Sequence, residues 1–492
     1  MPMPHVPGPP ARALKERLTV PVLALGGSLM AVMQTAVVPL LPDLPRLTGS
    51  SATAVSWMVT ATLLAGAVLT PVLGRAGDMY GKRRVLLLSL ALMTAGSLVC
   101  ALTSDIRLLI AARALQGSAA AVVPLSISLL RDELPPARTG SAVALMSSTV
   151  GIGAALGLPL AAAIAQYANW HVMFAATTAL GAIGLALAWW AVPESPVRTP
   201  GRFDAVGAAG LSAGLICLLL AISQGGDWGW TSPAVLGLAG AVVIVLAAWW
   251  RHQLRARNPL VDLRLAARPR VALPHLAALF TGCAFYANSL VTAQLLQAPA
   301  ETGYGLELSI LQTGLCMLPG GLIMLFVSPV SARISAARGA KTALAAGAAI
   351  IAAGYGVRLA DSEQLWLIIV GSAVLSAGTA LAYSALPTLI LEAVPAHQTA
   401  SVNGVNVLLR TIGQATCSAA IAAVLTHHTM SLGGARVPTL HGYLLAFGMA
   451  GTVALLACAL ALVIPRRREP ADAVRRHKRS AARAAVEVVE EA

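Results

Sequence analysis

Long apolar runs alternate with short polar breaks along all 492 residues of this chain. Each run is about 20 residues long, which is the length a helix needs to cross the hydrocarbon layer of a bilayer. The runs lack the short alternating pattern of barrel strands. The pattern predicts fourteen membrane-spanning helices, over residues 18–42, 53–73, 85–103, 107–130, 141–164, 170–192, 205–223, 233–250, 271–297, 307–331, 342–360, 364–391, 398–426 and 440–464.

The composition supports an all-α membrane protein. Hydrophobic residues make up 57% of the chain and charged residues 11%, with a mean hydropathy of +0.76. A soluble domain carries roughly 25% charged residues. The first apolar run is longer than the apolar core of a signal peptide, and no small-residue cleavage signal follows it. We therefore expect this run to be retained as the first span.

The cations are distributed unevenly between the two sides of the predicted bundle. Of 34 Lys and Arg residues, 28 lie before the first span, in loops after even-numbered spans or in the C-terminal tail. Four lie on the other side, and Arg113 and Arg410 lie within spans. The positive-inside rule then predicts a cell-membrane protein with both termini in the cytoplasm. The net charge of +14 is spread over loops and tail, so we expect no nucleic acid partner.

Signals for enzymatic or cofactor chemistry are missing from the sequence. There is no Gly-x4-Gly-Lys-Ser/Thr loop for nucleotide phosphates, and the six cysteines form no CxxC or Cys/His cluster. His/Asp or metal-binding clusters that would suit a membrane enzyme are not visible either. We expect no cofactor, no metal site and no catalytic residue.

An internal repeat divides the chain. The segment RDELPPARTGSA recurs loosely as LILEAVPAHQTAS, and Pro136 and Pro395 lie 259 residues apart. A segment rich in Gly and cations between spans 2 and 3 has a weaker echo in SARISAARGAK, after span 10. Repeated halves are the general plan of secondary transporters. The predicted organisation is an N-terminal segment, a six-helix half, a linker with inserted helices 7 and 8, a second six-helix half and a charged tail, over residues 1–17, 18–192, 193–270, 271–464 and 465–492.

The charged segment GRAGDMYGKRR interrupts the apolar pattern between spans 2 and 3. Its glycines allow a tight connection, and a carboxylate suits the positive N-terminal end of a neighbouring helix. The spacing resembles the signature loop of the major facilitator superfamily, carried here by Gly74, Asp78, Gly81, Lys82 and Arg83. That resemblance implies a conformational switch in which the aspartate holds the two halves together. By position, its partner would lie near residues 398–401, at the start of span 13.

Span 4 carries an intramembrane arginine. Arg113 lies about 9 Å inside the layer, where a charge is costly unless it faces a partner or water. With Gln116 and Gly117 it forms an Arg-x2-Gln-Gly pattern that resembles the fourteen-span drug:proton antiporter branch of the superfamily, and the resemblance implies a role in proton coupling. The alternative is that Arg113 extends to the membrane surface. Related exporters have an aspartate at the position of Met33, and no predicted span here holds a deep carboxylate.

Two further spans carry candidate residues. In span 5, Gly153, Gly157 and Pro159 predict close helix packing and a bend. In span 13, spacings of three, four and four place polar side chains on one helix face, which predicts a polar cavity or, alternatively, hydrogen bonds between helices. Candidates for the substrate cavity are Gln34, Thr35, Asn288, Asn403, Asn406, Arg410 and Gln414.

The resemblance to the drug:proton antiporter branch, and especially to its actinobacterial members, covers essentially the whole chain from span 1 to span 14. It implies a monomeric secondary transporter among membrane lipids that exports amphipathic or cationic small molecules. Protons would be the coupling ion, and access would alternate by a rocker-switch movement. A metabolite transporter working by symport or export is the main alternative, and a non-transporting sensor is another.

Overall fold

The computed structural model describes residues 9–37, 40, 44–360, 364–432 and 435–465. Fourteen helices in this part of the chain are long and apolar enough to cross a membrane, which confirms the predicted number. Almost all of the predicted tail, and residues 1–8 of the N-terminal segment, lie outside the described residues. The helices are α1 (Pro9–Thr35), α2 (Ala52–Tyr80), α3 (Lys82–Leu102), α4 (Ile106–Gly117 and Val122–Glu133), α5 (Pro136–Tyr167), α6 (Trp170–Ala191), α7 (Ala205–Trp228), α8 (Pro233–Arg255), α9 (Pro269–Gln297), α10 (Ile310–Arg338), α11 (Ala340–Ala360), α12 (Leu365–Ala393), α13 (Thr399–His427) and α14 (Leu440–Val463).

Several helices extend further than the hydropathy pattern predicted. The predicted loop between α2 and α3 is in fact helical except for Gly81, which has φ +120° and is therefore suited to glycine. The same single-residue connection recurs between α10 and α11 at Gly339, where φ is +87°. These two glycines lie 258 residues apart, close to the spacing of the sequence repeat. We call the end of the bundle with these two turns the basic end.

A short 3-10 turn, Ser118–Ala121, divides α4 into two segments. Pro124 falls in the first turn of the second segment, where its missing N–H leaves no helical hydrogen bond unmade. The break follows directly after Gln116 and Gly117. The buried polar residues of α4 therefore lie at the end of its first segment.

Each predicted six-helix half packs largely within itself, and two main seams join the halves. One seam is formed by α2 and α13, with α4 also touching α13, and the other by α5 with α10 and α12. The inserted helix α7 packs against both members of the first seam. Helix α8 packs chiefly on α7, and most of its surface is exposed, as expected for a helix facing lipid.

Connections outside the spans include one feature that the sequence did not predict. Strands β1 (Thr429–Leu432) and β2 (Ala435–Pro438) form an antiparallel hairpin between α13 and α14, at the end opposite the basic end. The Tyr304 hydroxyl donates a hydrogen bond to the Pro438 carbonyl and so ties the hairpin to the connection before α10. The predicted all-α class is otherwise confirmed.

Candidate functional site

Asp78, in the last turn of α2, reaches the N-terminal turn of α13 in the other half. Its two carboxylate oxygens accept hydrogen bonds from the backbone N–H groups of Ala400, at 3.1 Å, and Ser401, at 2.8 Å. Such first-turn N–H groups have no partner within their own helix, and Gln398 at the N-cap makes no side-chain cap bond. Asp78 is fully buried. The contact predicted near residues 398–401 is present, and one half caps a helix of the other.

Lys82 lies between this buried carboxylate and a second one, and both share its single positive charge. Its ammonium nitrogen lies 3.9 Å from Asp78 Oδ1 and 2.5 Å from Asp132 Oδ2. The ammonium also donates to the Thr399 hydroxyl at 3.4 Å, and Ser195 donates to Asp132 at 2.6 Å. A buried charge is tolerated only with partners of this kind. We call Asp78, Lys82, Asp132 and the N-terminal turn of α13 the latch.

Neighbouring contacts extend the latch to the connection between α12 and α13 and to the one between α6 and α7. The Arg131 guanidinium donates to the Val394 carbonyl at 3.1 Å, and the Thr199 N–H donates to the Asp78 carbonyl at 2.7 Å. Arg83, which was expected to belong to the switch, donates from its backbone N–H to Glu194 and from its guanidinium to the Trp189 carbonyl of α6. Neither acceptor belongs to the second half.

Glycine brings the two backbones of the latch seam together. A Cβ on Gly74 would lie 2.7 Å from the Ala400 carbonyl oxygen, and one on Gly404 would lie 3.0 Å from that of Thr70. The first distance is shorter than real Cβ contacts, so a side chain at Gly74 requires the helices to move apart. The short approach allows the Asp78 side chain to reach the first turn of α13.

Arg113 does not extend to the membrane surface. It is 2% exposed, and its guanidinium donates to the carbonyls of Met33, at 3.2 Å, and Met58, at 3.4 Å, and to Gln116 Oε1, at 2.6 Å. Gln116 in turn donates to the Ser97 hydroxyl at 2.8 Å. Backbone oxygens and one amide therefore partner this charge, and the network ties together α1, α2, α3 and α4.

The glycines singled out in α4 and α5 lie at close helix crossings. A Cβ on Gly117 would lie 2.7 Å from the Thr62 carbonyl oxygen of α2. In α5, a Cβ on Gly153 would lie 2.4 Å from the Ser28 carbonyl oxygen, and one on Gly157 would lie 2.1 Å from the Thr35 hydroxyl, both in α1. Pro159 contacts Gly314 of α10. Helix α5 is thereby fitted between α1 and α10.

Two apolar cavities lie between the halves and share Tyr286. The first, about 520 Å³, is bounded by α2, α7, α9 and α13, and the second, about 320 Å³, by α1, α5, α9, α10 and α12. Their lining reaches the helix ends opposite the basic end, at Gln297, Ile310 and His427. No latch residue lines either one. The cavities therefore extend away from the latch, which separates them from the basic end.

Only some of the residues predicted for the substrate cavity line these two cavities. Thr35 and Asn288 line the second cavity and Gln414 lines the first. Asn288 also accepts a hydrogen bond from the Ser372 hydroxyl at 3.3 Å. The remaining candidates are absent from the lining of these two cavities: Gln34, Asn403, Asn406 and Arg410.

Neighbouring helices cover the part of the α13 polar face that is nearer the basic end. Asn403 and Asn406 are each 2% exposed, and Asn406 Nδ2 lies 3.4 Å from His275 Nδ1 of α9. The Arg410 guanidinium lies 4.4 Å from the centre of the Tyr383 ring of α12. The residues share a face as the spacing predicted, but only Gln414 on that face reaches a cavity.

The cavity walls carry no fixed charge. Among the described residues that line them, the polar groups are hydroxyls, amides, one indole and one imidazole, and no Asp, Glu, Lys or Arg contributes. Buried charge lies elsewhere. Arg358, near the end of the predicted span 342–360 and counted among the four cations of the other side, is fully buried, with its guanidinium 4.6 Å from the centre of the Phe447 ring.

Two helical halves enclosing a cavity between them define the architecture of a secondary transporter. The chain belongs to the Major Facilitator Superfamily, whose family model matches residues 23–418. Two solved structures share the fold with a TM-score of 0.64 each, namely the human organic anion transporter MFSD10 and the proton:xylose symporter XylE. Sequence identity is 19% for the first, over 91% of this chain and 99% of that one, and 14% for the second, over 92% and 97%.

Curated relatives are similar at modest identity. The probable actinorhodin transporter of Streptomyces coelicolor is 29% identical over 382 residues, 74% of this chain. The chain covers 64% of that relative's length. The multidrug resistance protein Stp of Mycobacterium tuberculosis is 28% identical over 388 residues, 78% of this chain and 71% of that protein. The tetracenomycin C resistance and export protein of Streptomyces glaucescens is 26% identical over 378 residues, 74% and 68% of the two chains.

Proposed function

We propose that this transporter exports amphipathic or cationic small molecules, in exchange for protons, by alternating access. The observation that carries the proposal is the closed latch at one end of the bundle together with apolar cavities that extend to the other. The relatives named as actinorhodin, tetracenomycin C and multidrug proteins support export as the direction and drug-like molecules as the class.

The proposed orientation places the basic end in the cytoplasm, because 28 of the 34 cations belong to that side. The conformation is then outward-facing, with the cavities open to the side of release. Breaking the latch would close the outer end and expose the cavities to the cytoplasm. The protein would work as a monomer, since both seams and both cavities are complete within one chain.

The cavity walls narrow the proposed substrate class. An apolar lining with a few hydroxyl and amide groups suits a ligand with an apolar body and scattered hydrogen-bonding groups. A fixed positive charge would find no carboxylate among the described lining residues, so it would lose hydration without gaining an ion pair. Within the proposed class, uncharged amphipathic molecules are therefore favoured over permanent cations.

Separate roles follow for the two buried polar clusters. The latch, with Gly74 and Gly81 shaping its helices, would hold the outward-facing state. The Arg113, Gln116 and Gly117 cluster would link the α1 backbone to α4, and through this link would couple proton movement to rearrangement of the first half. Since Arg113 bonds to the carbonyl of Met33, a change in that bond is transmitted directly to the helix that packs on α5.

Transport in proteoliposomes tests the proposal. The purified protein is reconstituted with an imposed proton gradient, and the flux of a panel of neutral and cationic fluorescent drugs is followed together with internal pH. We expect drug and protons to move in opposite directions, and Asp78→Asn and Arg113→Ala to reduce both fluxes. Absence of any drug or proton flux would refute the exporter assignment. Normal transport by both variants would refute the site assignments alone.

The same assay separates the main alternative. A symporter of a metabolite would move its substrate and protons in the same direction, and the drug panel would compete weakly or not at all. Parallel flux of protons and an added sugar or amino acid would therefore replace the exporter proposal with uptake.

A further inference from the structure

A third cavity, about 190 Å³ in volume, lies beside the latch at the basic end, and we call it the basic-end cavity. Its walls come from α2, α9, α13 and the segment between α8 and α9. Both halves of the bundle therefore contribute to it. Two of its lining side chains, Arg75 and His275, have no role in the latch or in the proposed substrate cavities.

Arg75 is a buried arginine without a close partner. It is 6% exposed, yet among the described residues no carboxylate oxygen lies within the 4.0 Å of an ion pair, and no hydrogen bond of its guanidinium is present. Lys82, seven residues further on, contacts two carboxylates. A buried guanidinium of this kind loses hydration that a ligand in the cavity can replace.

The carboxylates near Arg75 are already engaged. Asp78 binds α13, as described above. Burial acts to raise the pKa of Asp204, but the hydrogen bonds from His252, Gly207 and Gln253 outweigh it and hold that pKa below its usual value. Asp204 thus stays ionised and occupied by α7 and α8. None of these groups is free to turn towards the Arg75 guanidinium.

Asp262 is the acidic member of the cavity lining itself. Its Oδ1 accepts hydrogen bonds from the backbone N–H groups of Arg264 and Leu265, at 3.0 Å each. Against this single carboxylate, the lining holds the guanidinium groups of Arg75 and Arg257. The lining side chains themselves therefore carry one cation more than they carry carboxylates, while Asp78 and Asp204 act on Arg75 from outside the lining.

His275 adds an unsatisfied donor or acceptor to the same wall. The side chain is 5% exposed, its Nδ1 lies 3.4 Å from Asn406 Nδ2, and its buried Nε2 has no hydrogen-bond partner among the described residues. A buried polar atom without a partner is costly, so His275 Nε2 has a hydrogen bond to offer to a group that enters the cavity.

We propose that the basic-end cavity binds a phosphate-type oxyanion, with Arg75 as its principal ligand and Arg257 and His275 as further donors. The planar guanidinium group matches two oxygens of such an anion. A free phosphate and the phosphate of a lipid headgroup share this chemistry. Because both halves line the cavity, the bound anion stabilises the closed basic end, and this regulatory consequence alone rests on the proposed transport function.

Binding is measured on the full-length protein in detergent, with inorganic phosphate as the probe and chloride at equal ionic strength as the reference. We expect a saturable rise of the melting temperature with phosphate, and a dissociation constant about tenfold higher in Arg75→Gln, which is the loss of one charge-assisted hydrogen bond. Arg333→Gln is the matched control, since Arg333 takes the position of Arg75 in the repeat but is exposed.

Two results overturn the proposal: no saturable effect of phosphate on the wild type, or an equal effect on Arg75→Gln. Should Arg75→Gln fail to fold, the exposed Arg257→Gln variant replaces it, and unchanged affinity in that variant also overturns the proposal. Phosphate binding that persists while the proteoliposomes transport nothing would refute the proposed function and leave this inference standing.

The source of the anion is distinguished by native mass spectrometry of the detergent-purified protein. A phospholipid retained by the wild type and by Arg333→Gln, but lost from Arg75→Gln, identifies a lipid headgroup, and added phosphate then competes with it. A wild type free of phospholipid that still binds phosphate identifies the free anion. A phospholipid retained equally by all three proteins, with no response to phosphate, contradicts the site.

Discussion

The two seams that join the halves are related by the internal repeat and differ in chemistry. In the α2–α13 seam, three buried charged residues and a helix N-terminus meet at the basic end. In the α5–α10 seam, small residues meet within the span: a Cβ on Gly321 would lie 2.0 Å from the Ala155 Cβ, and one on Gly151 would lie 1.9 Å from the Met324 sulfur.

The internal repeat allows the two seams to be compared residue by residue. The positions of Asp78, Lys82 and Asp132 correspond to Ala336, Ala340 and Leu391 in the second half, so that every charge of the latch has an apolar counterpart. The difference indicates that the basic end is fastened on one side only. Opening would then begin at the charged seam, while the apolar seam maintains contact between the halves.

The largest expected loss of stability comes from Lys82→Ala, the first of two changes that convert the charged seam into the apolar one. Lys82→Ala leaves the Asp132 carboxylate buried without its cation, which costs about 3–5 kcal/mol. Lys82→Ala with Asp132→Leu copies Ala340 and Leu391 and should recover much of that loss. Thermal unfolding of the purified variants measures both. Asp132→Leu alone completes the cycle, and a double variant whose loss equals the sum of the two single losses would show that the two charges act independently.

Asp78→Asn tests how much the charged seam depends on the negative charge of Asp78, because the amide has the same size as the carboxylate. The amide lacks the attraction of a carboxylate for the first turn of α13, and its NH₂ group opposes a backbone N–H, so the closed basic end should lose about 1–3 kcal/mol. Spin-label distances across the basic end report the change in population. Ala336→Asn is the matched control, and an equal shift in both variants would refute the one-sided fastening.

Gly74→Ala tests whether the charged seam depends on the close approach of its backbones. The added Cβ would meet the Ala400 carbonyl oxygen at 2.7 Å, and relieving that overlap typically costs about 1–3 kcal/mol, most of it here in the closed state. Transport and spin-label distances should both change. Gly140→Ala, at a position with nothing within 4 Å, should leave them as in the wild type. Transport and spin-label distances equal to those of the wild type in Gly74→Ala would show that α13 can shift away from α2 at little cost.

Ala336→Asp attempts to create a second latch and has the smallest expected effect. Ala336 is exposed, so its new carboxylate remains in water and should change stability by less than about 0.5 kcal/mol. The spin-label distances used for Asp78→Asn provide the measurement. A marked stabilisation of the closed basic end would mean that the repeat position alone, without burial, is sufficient for a latch.

Much of the fold could be predicted from local sequence. Hydropathy over about 20 residues is a property of each segment by itself, and it gave the fourteen spans. The resemblance of the segment GRAGDMYGKRR to the signature loop of the superfamily then gave residues 398–401 as the partner of Asp78. The ends of the helices were harder to predict from the sequence. Residues 74–80 are polar enough to suggest a loop, yet they continue α2 because tertiary partners satisfy their charges.

The partners of buried groups could not be predicted, since they lie far apart in the chain. Asp132 stood at a helix end in the sequence, and its pairing with Lys82 depends on how α4 packs on α3. Arg358 was counted with the cations of the other side, and its burial beside Phe447 of α14 depends on packing that the local sequence does not reveal. The spacing in α13 gave the shared face, but the helices that cover Asn406 and Arg410 became known only from the packing.

The capping of α13 by Asp78 has a consequence for biosynthesis. Ala400 follows Asp78 by 322 residues, so at about 5–20 residues per second the ribosome delivers the two groups roughly 15–60 s apart. In that interval the carboxylate has Lys82, four residues further on and across the Gly81 turn, as its counterion. Asp78 therefore waits in the bilayer with a cation already beside it, and it gains the N–H groups of Ala400 and Ser401 only when α13 has been made.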